Sequence, residues 1–139
     1  MSLHFNGLPR TEFEGRVNRI KEALKKGRID VLLVYSGPDD DNVCYVTNWR
    51  RGYFTHAALA LVPQEGDPIL LSPSKIFHHW EKNFCWFNDI RNSLDYAKDA
   101  KRILEDLQIS RGRGERVGSL VCQLRFMRNS IKLLTEQNL

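Results

Sequence analysis

Asn42-Val43-Cys44-Tyr45-Val46-Thr47-Asn48-Trp49 decides how this chain is read, because it follows Val31-Leu32-Leu33-Val34-Tyr35, a run that is apolar without a break. Aliphatic and β-branched residues with no polar alternation suit a strand covered by helices on both faces. Just upstream, Phe13, Val17, Ile20 and Leu24 recur at helical spacing, so an amphipathic helix leads into that strand. Thr11 and Glu14 form a capping-box pattern and Gly27 offers a stop, which predicts a helix from about Glu12 to Lys26. Between the strand and Asn42 lies Ser36-Gly37-Pro38-Asp39-Asp40-Asp41, a loop by composition. Val43 to Thr47 is compatible with either a strand or a helical turn.

Working outward, Ala57 to Val62 and Ile69 to Ser72 flank Pro63-Gln64-Glu65-Gly66-Asp67-Pro68, whose prolines and glycine predict a turn between antiparallel strands. Ser74 is placed to cap a short helix through Trp80, and Trp86 to Arg91 reads as a strand. From Asp95 onward, Tyr96, Ala100, Ile103 and Leu107 recur at intervals of four, three and four, which defines a second amphipathic helix. Gln108 to Glu115 is a basic, glycine-bearing loop. Arg116 to Val121 is a last strand, and Phe126 to Leu139 a helix or linker. Helix and strand alternate around one hairpin, so the fold class is α/β, a mixed β-sheet with helices on its faces.

A chain of 139 residues fits one domain, and a domain this long buries about two thirds of the surface its unfolded chain exposes. With 42% hydrophobic and 27% charged residues it has the composition of a globular protein, and no apolar run approaches membrane-spanning length. The start, Met1-Ser2-Leu3-His4-Phe5, lacks the basic and apolar regions of a secretory signal. A cytoplasmic protein is expected, with no membrane partner.

Cys44, Cys85 and Cys122 are odd in number and widely spaced, which predicts neither a disulfide framework nor a zinc site. Adjacent histidines at His78 and His79 point different ways on a helix, so with Glu81 they do not form a metal cluster. Asp39-Asp40-Asp41 lacks the glycine and terminal glutamate of a calcium loop. The net charge of +4 comes from 21 basic and 17 acidic residues spread along the chain. Arg111-Gly112-Arg113-Gly114-Glu115-Arg116 is basic but carries no interleaved aromatic for base stacking. No nucleic-acid partner is expected.

The pieces Ile29-Asp30 entering the first strand, Asn42-x-x-Tyr45-x-Thr47, the Ala57 to Leu71 hairpin and Asp89-Ile90-Arg91 together resemble the N-terminal domain of the creatinase/prolidase family over about residues 10 to 135. That resemblance implies a ribonuclease-H-like α/β fold and a single non-catalytic domain over residues 1 to 139. The partner it implies is a C-terminal catalytic domain of the same chain, absent here, which would hold a pair of divalent metals, Mn, Co or Zn. It also implies a homodimer in the full-length protein. The family usually has glycine where this chain has Asn48, and asparagine tolerates left-handed backbone better than other non-glycine residues.

Trp49-Arg50-Arg51-Gly52-Tyr53-Phe54-Thr55-His56 puts three aromatics, two arginines and a histidine just ahead of a core strand. In creatinase-like relatives a Phe-x-Arg element before the equivalent strand helps hold substrate in the neighbouring subunit. Phe54 matches the aromatic, while His56 stands where the arginine would be and lacks its bidentate fork. Trp49, Arg50, Arg51, Tyr53, Phe54 and His56 are therefore the candidates for lining substrate access or for packing at an interface, where aromatics and arginine are enriched. No catalytic or metal-binding residue is expected in this chain.

The leading expectation is the N-terminal domain of a metal-dependent, proline-directed peptidase or related hydrolase. Its rival is a peptidase-like interaction module without activity, as in the large subunit of the FACT histone chaperone. A third reading is a free-standing α/β protein, against which stands the polar ending Thr135 to Leu139 with no clear final element.

Overall fold

The computed structural model describes residues 8–37, 41–50, 57–73, 75, 78–108 and 117–119. In order along the chain they form α1 (Arg10–Gly27), β1 (Val31–Ser36), α2 (Asn42–Thr47), β2 (Ala58–Pro63), β3 (Ile69–Ser72), α3 (His78–Phe84), β4 (Ile90–Asn92), α4 (Tyr96–Asp106) and β5 (Val117–Ser119). The strands make one five-stranded mixed sheet in the order β4-β3-β2-β1-β5. β2 pairs antiparallel with β1 on one side and with β3 on the other, while β1/β5 and β3/β4 are parallel. β1 is interior as its apolar run predicts, with Leu33 between Leu61 and Ser119. The middle strand is β2, in which every residue is buried.

The unbroken apolar runs follow from the sheet being covered twice. Leu32 and Val34 of β1, Ala58, Ala60 and Val62 of β2 and Leu70 of β3 face one way, into a cluster with Val17 and Leu24 of α1 and Val43 and Val46 of α2. The alternate residues Val31, Leu33, Leu59, Leu61, Ile69 and Leu71 face the other way, onto Ala100 and Ile103 of α4. Successive strand residues point to opposite faces, so only a strand with helices above and below is apolar at every position.

Both ends of α1 depart from the sequence expectation. Pro9 occupies the N-cap and no side chain caps the helix. Thr11 lies inside the first turn, and Glu14 is engaged by Arg10 at 2.6 Å, so the capping box does not form. At the other end Gly27 is still helical, and Arg28 carries the left-handed backbone at φ 53° and ψ 47°. Ile29 N–H donates to Leu24 O at 2.9 Å and Arg28 N–H to Lys25 O at 3.2 Å, the paired bonds of a Schellman ending. The one-residue shift lets Ile29 fold back against the cluster that holds Leu24. Gly27 makes room for it, since a Cβ there would meet Ile29 Cδ1 at 3.3 Å.

The β2–β3 turn is docked on that same joint. Gln64 donates through its backbone to Asp30 O at 3.0 Å and through Nε2 to Ile29 O at 2.7 Å. Gly66 sits at φ 89°, the region that favours glycine.

Three further expectations are corrected. The helix expected from Ser74 to Trp80 is α3, running later, from His78 to Phe84. The strand expected over Trp86 to Arg91 is only Ile90–Asn92, because Trp86 Nε1 donates to Val46 O at 2.8 Å and Phe87 turns into the core. α4 is capped by Asp95, whose carboxylate accepts from Lys98 N–H at 3.0 Å, but it ends before Leu107, which is 40% exposed. Of the last expected strand β5 is described, and the loop Gln108 to Glu115 and the segment Phe126 to Leu139 lie outside the described residues apart from Gln108.

Candidate functional site

The segment that the sequence marks, 49–56, begins where α2 ends, so its placement depends on how Asn42 to Trp49 folds. That stretch is a short helix rather than a strand. Six residues are too few to be helical on propensity alone, and buried polar groups hold them. Ser36 at the end of β1 is fully buried, and its Oγ accepts from Val43 N–H at 2.7 Å, supplying an acceptor that the helix's first turn lacks. Thr47 Oγ1 donates to Val43 O at 2.7 Å and accepts from Trp49 N–H at 3.0 Å, closing the far end.

Asn48 then reverses the chain at φ 61° and ψ 16°, the left-handed conformation expected at this position. It does more than tolerate that backbone. Its Nδ2 donates to Phe84 O at 3.0 Å, tying the end of α2 to the end of α3.

Trp49 corrects the expectation that the whole segment lines a surface. It is 2% exposed and belongs to the core cluster. Its Nε1 donates to Glu81 Oε1 at 3.1 Å, and Ser72 Oγ donates to the same oxygen. Glu81 is itself 4% exposed, and its second oxygen, Oε2, is buried with no hydrogen-bond partner. A buried carboxylate is tolerated only with donors around it, so Glu81 and Trp49 hold each other in place. Sequence reasoning set Glu81 aside with the histidines. Its trace was there in Cys85, one helical turn on and buried, which shows that this face of α3 turns inward.

Arg50 is the first candidate to leave the core. Its Nε and Nη2 are buried yet find no acceptor among the described residues, an expensive arrangement for a guanidinium. Cys44 lies within its field: burial pushes the Cys44 thiol above its ordinary range, and the Arg50 charge offsets part of that rise. Beside them Tyr45 is 50% exposed, with the Arg16 guanidinium 4.4 Å from its ring centroid and Arg16 Nη1 donating to Tyr45 O at 3.2 Å. The outer face of α2 is thus aromatic and cationic. Arg51, Tyr53, Phe54 and His56 lie outside the described residues, as do Asp39, Asp40 and Arg111 to Arg116.

His78 and His79 are not brought together. His78 Nδ1 stands 3.9 Å from Glu81 Oε2, while His79 is exposed. Among the described residues no three of His, Cys, Asp and Glu converge as a metal site would need, and no helix is long and apolar enough to cross a membrane. A shallow depression of about 340 Å³ beside His78 is lined by Lys75, His78, Ile90 and Asn92.

Solved structures similar in fold include a prolidase, a proline dipeptidase and an aminopeptidase P. Over 86% of its length the chain superposes with a TM-score of 0.58 on a prolidase from Pyrococcus horikoshii OT3, at 16% identity. In fold the chain is similar to these proline-peptidase structures. A proline dipeptidase from Streptococcus pneumoniae TIGR4 matches 87% of it at 16% identity and a TM-score of 0.58, and an Xaa-Pro aminopeptidase P from Streptococcus thermophilus 78% at 17% and 0.55. The match takes in 85% and 92% of those two chains, but only 29% of the Pyrococcus prolidase. No protein-family model matches the sequence, and no curated protein does. At these identities the likeness concerns the fold, and function has to be argued from the residues.

Proposed function

We propose that this chain is the non-catalytic N-terminal domain of a creatinase/prolidase-like metalloenzyme, and that it shapes substrate access and contributes to a dimer. One observation carries the reading: the sheet of the described residues, covered on both faces, belongs to a fold that matches 29% of a prolidase chain. The remainder of such an enzyme would supply the catalytic domain and its divalent metal pair, Mn, Co or Zn, whose chemistry is activation of water and polarisation of the scissile carbonyl.

What this chain's residues contribute is position. Trp49 is pinned in the core through Glu81 and β2 begins at Ala58, so the described flanks on both sides of residues 51–56 are anchored. Arg50, with two unused donors, opens that segment. Phe54 and His56 are the residues proposed to reach the access route.

The test has two parts. Purified chain, assayed on Xaa-Pro dipeptides with added Mn, Co or Zn, is expected to give no turnover. In the full-length protein, Phe54→Ala or His56→Ala is expected to lower kcat/KM by about 1 to 3 kcal/mol of transition-state stabilisation, with metal content and folding intact. Metal-dependent turnover that tracks the isolated chain through repurification overturns the reading. A full-length protein that binds no metal and hydrolyses nothing favours the peptidase-like interaction module instead.

A further inference from the structure

The depression beside α3 has a chemical character of its own. Among the described residues its polar lining is Lys75, His78 and Asn92 beside the apolar Ile90, with no carboxylate. Asp89, next in sequence to Ile90, is engaged by Arg91 through both oxygens, at 2.8 and 3.0 Å. Asn92 is positioned by its Nδ2 bond to Ser72 O at 3.2 Å.

Behind the depression stands Glu81. Its Oε1 takes the Trp49 and Ser72 donors, while Oε2 is buried without any. The nearest ion-pair partner of that oxygen is His78 Nδ1 at 3.9 Å, just beyond hydrogen-bonding distance. A shift of the ring by about 1 Å brings Nδ1–H onto Oε2 at ordinary bond length. A histidine held in this way by a carboxylate has a fixed orientation and presents Nε2 on its other side, the arrangement by which carboxylates orient histidine ligands at other sites. Glu81 stands against the His78 ring, and among the described residues Lys75 has no carboxylate partner.

We propose that this depression binds a small oxyanion, a carboxylate or phosphate group, between Lys75 Nζ and His78 Nε2, with Glu81 as the positioning residue that holds the ring. A ring drawn toward Glu81 by its Nδ1–H supplies the donor that Oε2 lacks and turns Nε2 toward the depression, so anion binding and closure of the His78–Glu81 gap reinforce each other. The proposal rests on Lys75, His78 and Glu81 and does not depend on the peptidase-like reading.

The experiment is a titration of the ¹⁵N-labelled chain with sodium acetate and, separately, with inorganic phosphate, at fixed pH and at ionic strength matched with chloride. The His78 ring nitrogens and the Asn92 side-chain amide are followed. Saturable shifts at both residues with either probe support the site, and the tighter probe tells a planar from a tetrahedral oxyanion. Lys75→Ala, at an exposed position where folding is not at stake, is expected to weaken binding about tenfold, as loss of one charge-assisted contact does. His78→Ala should do the same with the Asn92 amide as reporter. Glu81→Gln should leave Lys75 in place yet shrink the probe-induced shifts of the His78 ring nitrogens, because the ring loses the charge that draws it in. Shifts that rise linearly without saturating, or that chloride reproduces, overturn the proposal. So does a Lys75→Ala variant that binds as tightly as the parent, whether or not Glu81→Gln folds.

Discussion

Trp49 Nε1 donates to Glu81 Oε1 at 3.1 Å, joining two buried side chains 32 residues apart in the sequence. That bond holds Trp49, the first residue of the aromatic and basic segment, in the core. It also leaves the carboxylate dependent on two donors for one oxygen, while the other has none. Trp49→Phe keeps a large aromatic in place and removes only the donor. We expect a loss of about 1 to 3 kcal/mol, the cost of stripping a partner from a buried charged acceptor. In urea the midpoint should fall with the m-value unchanged. An unchanged midpoint would show that Glu81 is satisfied without the indole.

Asn48 tests the reversal that follows α2. Its left-handed backbone and its Nδ2 bond to Phe84 O are separate contributions. Asn48→Ala loses both, and we expect about 1 to 3 kcal/mol of destabilisation from the conformational penalty together with the lost bond. Asn48→Gly relieves the backbone and loses only the bond, so it should fall between Asn48→Ala and the parent in thermal melting. If glycine and alanine prove equally damaging, the side-chain bond alone matters.

Much of the fold was readable because few alternatives were compatible with the pattern. A strand apolar at every position requires cover on both faces, and the clusters on the two sides of β1 and β2 supply it. Asn48 was readable as a left-handed turn because few residues tolerate one. The misplacements have local causes. The end of α1 was set one residue early because the packing of Ile29 outweighs the preference for glycine at the left-handed position. The strand expected from Trp86 shortened because its aromatics serve long-range contacts, Trp86 to Val46 and Phe87 to the core. Trp49 looked like a surface aromatic because its partner is a carboxylate 32 residues away, and no local pattern announces such a pair.

Arg28 offers a gain in stability. It is a long side chain at φ 53°, with an exposed head, and neither its backbone bonds to α1 nor the return of Ile29 requires its side chain. Left-handed backbone costs an L-residue roughly 1 to 2 kcal/mol, while glycine's extra freedom in the unfolded chain offsets about 0.5 to 1 of that. Arg28→Gly should therefore stabilise the domain by about 0.5 to 1 kcal/mol, raising both the urea midpoint and Tm. The same substitution at Lys26, inside the helix, should lower them. A fall in Tm for Arg28→Gly would mean that the arginine makes a contact worth more than the strain.

Alkaline pH should weaken the fold through Cys85. Burial pushes its thiol far above the ordinary range, and the nearby Glu81 charge and Cys44 push in the same direction. Tyr96 is raised as well, chiefly by burial, with smaller contributions from Tyr35 and Glu81. A raised acid holds its proton in the folded state after the unfolded chain has lost it. The unfolded state then binds fewer protons, and stability falls as pH rises. The stabilisation is complete below the unfolded-state value, about 8.5 for a thiol, and is lost from there upward, with tyrosine joining near 10. Each such group contributes a slope of up to about 1.4 kcal/mol per pH unit. Urea midpoints measured from pH 7 to 10 should be flat at first and then decline. Cys85→Ala should begin lower, because it leaves a small cavity, and should decline less between pH 8.5 and 10. Equal slopes for the two proteins over that interval would show that the Cys85 thiolate forms in the folded state and that this part of the core admits water.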